Sequence, residues 1–156
     1  MVQHLGATVG QEQRALKLVN QYNSRLANVR AKVESQPPLK VYFEECDDPM
    51  ISGIKWVSEL IEIAGGTDIF PNYANQAAAK DRFVTSSEVI SAAPDVILAS
   101  WCGKKVRPEK IASRPGWDTI PAIQNGRIKE IKSPLILQPG HAALTDGLEC
   151  IVQALA

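Results

Sequence analysis

The sequence predicts an α/β fold: a three-layer, Rossmann-like lobe on a mostly parallel sheet, preceded by one long helix. Three observations carry this. Short apolar runs at Val41–Phe43 and Val96–Ala99 alternate with helical patterns rather than with further strands, the order of a sheet covered on both faces. The second run, VILA, is apolar at every position, as a central parallel strand should be. Between Gln11 and Glu34 there is neither Gly nor Pro, and Ala15, Val19, Tyr22, Leu26, Val29 and Val33 step by fours and threes along one helix face.

In chain order, that first helix covers about 24 residues and would be about 36 Å long. It can lie across the sheet or act as a spine between two lobes. Gln36-Pro37-Pro38 ends it, because neither proline continues a helix. A strand opens at Lys40 and breaks after Phe43 into the acidic stretch Glu44, Glu45, Cys46, Asp47, Asp48. Ser52 to Ala64 is amphipathic and closes on Gly65-Gly66, a helix C-terminal signature. Ile69-Phe70 is a short apolar return, and Pro71 to Lys80 a polar surface excursion.

Thr85-Ser86-Ser87-Glu88 has capping-box spacing and predicts a short helix before the strand at 96–99. Ser100-Trp101-Cys102-Gly103-Lys104-Lys105 leaves that strand, and Pro108 sits where a small helix would begin. After the Pro115-Gly116 and Asn125-Gly126 turns, Arg127 to Ile131 alternates like a strand. Ser133 to Gly140 reads as a loop and His141 to Leu155 as the closing helix. Parallel strands would bring the segments after Phe43, Ala99 and Ile131 to one sheet edge, where open α/β sheets hold ligands.

The totals bound the function. Seventeen Lys+Arg balance seventeen Asp+Glu in 156 residues, so no basic field points to nucleic acid or a membrane surface. Three cysteines without a CxxC pair indicate neither a zinc site nor a disulfide framework. No apolar run approaches the ~18 residues of a spanning helix. The first residues are too polar for a signal peptide. The chain is therefore cytoplasmic, or it starts downstream of an export signal.

Each chemical motif has a bland reading beside its sharp one. The four carboxylates of Glu44 to Asp48 can bind a hard cation or serve as acid and base, with His141 as the one histidine able to join them. A charge run is more often a solvated loop. Cys46 and Cys102, at two strand ends, can pair or act as thiols, though no basic partner is fixed. His141 at a helix start is a neutral ligand or a cap. Trp101, in a strand-end turn before Gly103, is costly to leave wet unless it meets something. Trp56 and Trp117 read as core. No GxSxG, Walker loop, GxGxxG or HExxH is present, and no metal site or catalytic set is completed.

Together, VYFEE with DP and SG after it, WVSELIEIAGG-x-DIF, PDVILAS, GW-x-x-IPA-x-x-NGRI and the late PG and DGLE resemble one family. These are the substrate-binding proteins of ABC importers with a helical backbone, which carry cobalamin, siderophores or haem. The turn SWCGKK-x-x-RPE is most similar to the cobalamin branch. The resemblance runs from about Leu5 to the end. It implies two α/β lobes joined by one helix, with residues 1–35 as the interlobe helix and 36–156 as the C-terminal lobe. On it, the N-terminal lobe and export signal are missing from this chain.

It further implies capture of cobalamin or a related corrinoid without catalysis, delivery to an ABC-importer permease, and a periplasmic location. Ligand-binding residues are then Glu44, Glu45, Cys46, Asp47, Trp101, Cys102, Gly103, Gln138 and His141, with Trp101 giving flat apolar contact and the polar groups hydrogen bonds. The family's permease-docking Glu aligns at Ser87, with Glu88 beside it. Many members carry an Arg in the turn matching Gln138–His141; this chain has none there. An isolated lobe is expected to bind weakly or not at all, and to leave enough apolar surface for self-association. The rivals are a siderophore or haem receptor and a metal-dependent hydrolase using Glu44–Asp48 with His141.

Overall fold

The computed structural model describes residues Met1–Ala156. Two helices come first, α1 (Val2–Thr8) and α2 (Glu12–Val33). The sheet follows in β1 (Leu39–Asp47), β2 (Met50–Ser52), β3 (Gly66–Asp68), β4 (Val96–Ala99) and β5 (Ile128–Glu130). Between and after the strands lie α3 (Lys55–Ile63), α4 (Pro71–Ala74), α5 (Ser86–Ala92), α6 (Pro108–Ala112), α7 (Pro121–Gln124), α8 (Ser133–Ile136) and α9 (Leu148–Leu155).

Strand β1 organises the sheet. It pairs in parallel with β4 on one side, and β4 pairs in parallel with β5. On its other side it runs parallel to β3 through Leu39–Val41 and antiparallel to β2 through Glu44–Asp47. Alternation along the strands divides the core into two layers. Val41, Phe43, Val96 and Leu98 pack against α3 and α9, through Val57, Leu60, Ile61, Leu148 and Ile151. Tyr42, Ile97 and Ala99 face α5, α6 and α7, through Val89, Ile111, Ile120 and Ala122. This is the expected three-layer lobe, with parallel β1, β4 and β5 ending at one edge.

Helix α2 matches the expected Gln11–Glu34 within a residue at each end, and its stripe faces inward: Ala15 is buried and Leu26 and Val29 pack on the α3/α9 layer. Gly65, at φ 86°, takes the left-handed conformation that ends α3, and its amide donates to the Glu62 carbonyl. The capping box forms in full. The Thr85 hydroxyl accepts from the Glu88 amide, and the Glu88 carboxylate accepts from the Thr85 amide at 2.7 Å.

Several expectations fail, each for a physical reason. The strand does not break at Phe43 but runs to Asp47, because β2 folds back over Asp48-Pro49 and satisfies its edge; Ser52 therefore ends β2, and α3 begins only at Lys55. The return strand is Gly66–Asp68, just before Ile69-Phe70, since pairing with Leu39–Val41 sets its register. The polar excursion holds α4, seated by buried Ala74. The loop after Ile131 contains α8 with Pro134 in its first turn. Helix α1 carries no strong periodic signal; it forms by packing Gly6 directly against Ala15 of α2.

Candidate functional site

The carboxyl ends of β1 and β4 meet where the acidic stretch lies, but the acids do not form one open cluster. Glu44 follows Tyr42 on the same strand face and is completely buried. Arg114 grips it with both ends of its guanidinium, Nη1 to Oε2 at 2.6 Å and Nη2 to Oε1 at 3.0 Å. The Trp101 indole donates to Oε1 at 2.9 Å, and the Tyr42 hydroxyl to Oε2 at 3.2 Å. A buried carboxylate needs such saturation, and here it leaves no lone pair facing solvent. Burial, reinforced by the Glu44 charge, holds the Tyr42 phenol well above its ordinary range, so it stays a donor.

The other acids are committed separately. Glu45 receives Arg82 Nη1 at 2.6 Å and Nη2 at 3.2 Å. Arg82 is itself buried; Nη1 also donates to the Ser52 carbonyl, and the Ser52 hydroxyl donates to the Arg82 carbonyl at 3.2 Å. The pair thereby ties β1 and β2 to the segment before α5. Asp47 takes Lys110 at 2.6 Å and Lys104 at 3.3 Å. Burial alone would raise its carboxyl, but the hydrogen bonds from Lys110 and Lys104 outweigh that and hold it below the usual range. The register shift between Glu44 and Cys46 separates these side chains further.

Trp101 was expected as flat contact for a ligand, and the structure corrects this: only 2% of it is exposed. Its indole N–H is spent on Glu44, and the Lys110 ammonium lies 5.5 Å from the ring centroid. What the turn after β4 does present is Cys102, Gly103, Lys104 and Lys105, all exposed. Gly103, at φ 70°, supplies the left-handed residue that lets Lys104 N reach the Trp101 carbonyl at 3.0 Å. Cys46 is half-buried beside Asp47 and Cys102 is exposed, and both are free thiols.

The third segment joins the edge through Ser133, whose hydroxyl donates to the Trp101 carbonyl at 3.0 Å. Gln138 is exposed, and its neighbours Pro139 and Gly140 line a separate concavity with Trp56. His141 turns the other way, with Nδ1 2.7 Å from the Tyr22 hydroxyl on α2. Neither is brought to the acids. The hydrolase geometry is therefore not assembled: the carboxylates point to different cations, and no group of three or more His, Cys, Asp or Glu is placed to hold a metal ion. Of the docking candidates, Ser87 is exposed, while the Glu88 carboxylate is engaged by Thr85 and by the Tyr73 hydroxyl at 2.9 Å. Those hydrogen bonds, Thr85 foremost, hold Glu88 below its ordinary range.

Sequence reasoning missed three residues. Arg114 and Arg82 left no local signal, because they meet Glu44 and Glu45 from 70 and 37 residues away. Phe83, 46% exposed and bridged to Ile51, is the large aromatic that the edge presents to solvent. An aromatic between a charged run and a capping box is its only signal.

Comparison with known proteins places this geometry. A vitamin B12-binding protein of Vibrio vulnificus is 25% identical over 124 residues, 76% of this chain and 41% of the relative. The chain thus spans less than half the length of the curated relatives it matches. A periplasmic heme-binding protein from Roseiflexus superposes with a TM-score of 0.75 at 22% identity, over 99% of this chain and 62% of that one. A protein of an ABC-type Fe3+-hydroxamate transport system from Saccharomonospora viridis gives 0.77 at 22%, over 98% and 53%. These likenesses establish the fold; the model of the periplasmic binding proteins matches residues 1–135. The chain belongs to the periplasmic binding protein family.

Proposed function

We propose that this chain is the C-terminal lobe of an ABC-importer substrate-binding protein that captures cobalamin or a related corrinoid without chemistry. The observation that carries the reading is the family match over residues 1–135, on a fold whose β1, β4 and β5 end together at one edge. A vitamin B12-binding relative favours the corrinoid over haem or a hydroxamate chelate. In this reading α2 is the spine to a second lobe, the edge with Phe83 and Cys102 faces the cargo, and the Ser87–Glu88 corner meets the permease. Work outside the cytoplasm suits that role, and no helix here is long and apolar enough to cross a membrane. A cleft that closes over a large ring needs both walls, so one lobe alone encloses only part of it.

The test is a titration followed by visible absorbance, with cobalamin, hemin and a ferric hydroxamate as separate ligands. It is run on this chain and on a longer form that includes a second lobe. Tight cobalamin binding by the longer form and little by this chain is the expected outcome. Tight binding of hemin or the hydroxamate instead moves the cargo within the class. High affinity by the 156-residue chain alone removes the half-clamp reading.

A further inference from the structure

The turn after β4 and the start of α6 enclose a cavity of about 390 Å3, lined by Asp47, Trp101, Lys104, Lys105, Arg107 and Lys110. Four cations share it with one carboxylate, and both oxygens of that carboxylate are already taken by Lys104 and Lys110. Lys105 and Arg107 are exposed and enter none of the ion pairs of the molecule. Of the carboxylates near the turn, Glu109 is exposed in the first turn of α6, and Glu130 is engaged by Lys132 at 2.9 Å and by the Val106 amide, with Lys105 acting on it only through its charge. Two cations, Lys105 and Arg107, therefore line a concave wall without an ion-pair partner, beside two lysines that share a single carboxylate, in a chain whose overall charge is zero. Such focusing raises the local concentration of anions.

We propose that this cavity is an anion subsite that takes a carboxylate or phosphate group. Arg107 offers a planar fork matched to either group, and Lys105 a second donor. Asp47 pairs with Lys104 and Lys110, and the largely buried Trp101 closes the cavity floor with little surface of its own. Two sources share this chemistry: a carboxylate arm of a haem-type cargo, which rests on the importer function proposed above with its cargo moved within the class, or a separate small anion, which does not.

The intact chain is titrated with inorganic phosphate and with citrate while the Trp101 indole N–H is followed by NMR. That proton is anchored on Glu44, and neither Lys105 nor Arg107 is its hydrogen-bond partner. The resonance is expected to move on adding either probe, less so at high salt. The Lys105→Gln/Arg107→Gln variant, with its fold verified by unchanged indole shifts of Trp56 and Trp117, should bind about tenfold more weakly. No movement with either probe, or equal affinity in the variant, overturns the subsite. A zinc porphyrin dicarboxylate and its dimethyl ester then separate the sources. Movement with the acid alone assigns the site to the cargo's arm. Movement with neither, while phosphate and citrate bind, assigns it to a free anion and leaves the subsite standing even if no chelate binds. Equal movement with acid and ester overturns it in favour of ring contact.

Discussion

The acidic strand end and the basic turn lie side by side at the same edge, joined at Asp47, yet they are electrostatically opposite in kind. Glu44 and Glu45 are each matched by a dedicated arginine, and their charges are consumed inside the protein. The lysines and arginine of residues 104–110 face water, with Lys104 and Lys110 sharing Asp47 and Lys105 and Arg107 left unpaired. In the sequence the acids drew the chemical readings, while Lys104 and Lys105 were noted only as part of the turn that leaves the second strand. The difference teaches that density of charge along the chain says little about function. What matters is whether the fold supplies a counter-ion, and here it does so for the acids and withholds it from Lys105 and Arg107.

The sharpest way to break this comparison is Arg114→Ala. It leaves the Glu44 carboxylate fully buried with only Tyr42 and Trp101 to hold it. Removing one partner of a buried pair typically costs about 3–5 kcal/mol, because the remaining charge is stranded. Urea denaturation at neutral pH should show a loss of that size. A loss under about 1 kcal/mol would mean that Glu44 reaches solvent and belongs with the ligand-facing groups after all.

Arg82→Ala comes next. Arg82 is 3% exposed at its side chain but Glu45 is 21% exposed, so the abandoned carboxylate can regain some water. The expected loss is about 2–3 kcal/mol, the scale of hydrogen bonds to a charged group. Since the pair ties β2 to the segment before α5, hydrogen exchange should rise at Met50–Ser52 and Val84 but not at β4. Exchange that rises evenly across the sheet would show that the pair is not a local tie.

How far all this was legible depends on what the signal was. The layers, α2, the central VILA strand and the capping box followed from periodicity and end-signals, which are properties of single segments. The length of β1 did not, because Glu44 to Asp47 stay extended only by pairing with Met50–Ser52 and by finding cations 37 to 70 residues away. A carboxylate's partner over that distance leaves no mark in local pattern. The same holds for Trp101: a tryptophan in a turn was rightly judged costly to leave wet, but the group it meets is Glu44 rather than a cargo. Gln138 and His141 shared the expected edge with the acids in chain order, whereas α8 and the contact of His141 with Tyr22 carry them elsewhere.

The smallest effect tests the joint between the two regions. Asp47 has a depressed carboxyl, so its stabilising contribution is present at neutral pH and is lost as the pH falls through the carboxylate range. Its lysines are more than half exposed, 61% and 54%, so Asp47→Asn should cost under about 1 kcal/mol at pH 7. The gap from the parent should close below about pH 4, where a free aspartate also takes up its proton, and should shrink in salt. Anion binding should move the other way. Neutralising Asp47 frees Lys104 and Lys110 and leaves all four cations of the cavity unmatched, so phosphate should bind more tightly in the less stable protein. Weaker phosphate binding by Asp47→Asn would show that Asp47 serves the turn by holding its lysines in place, with position outweighing charge.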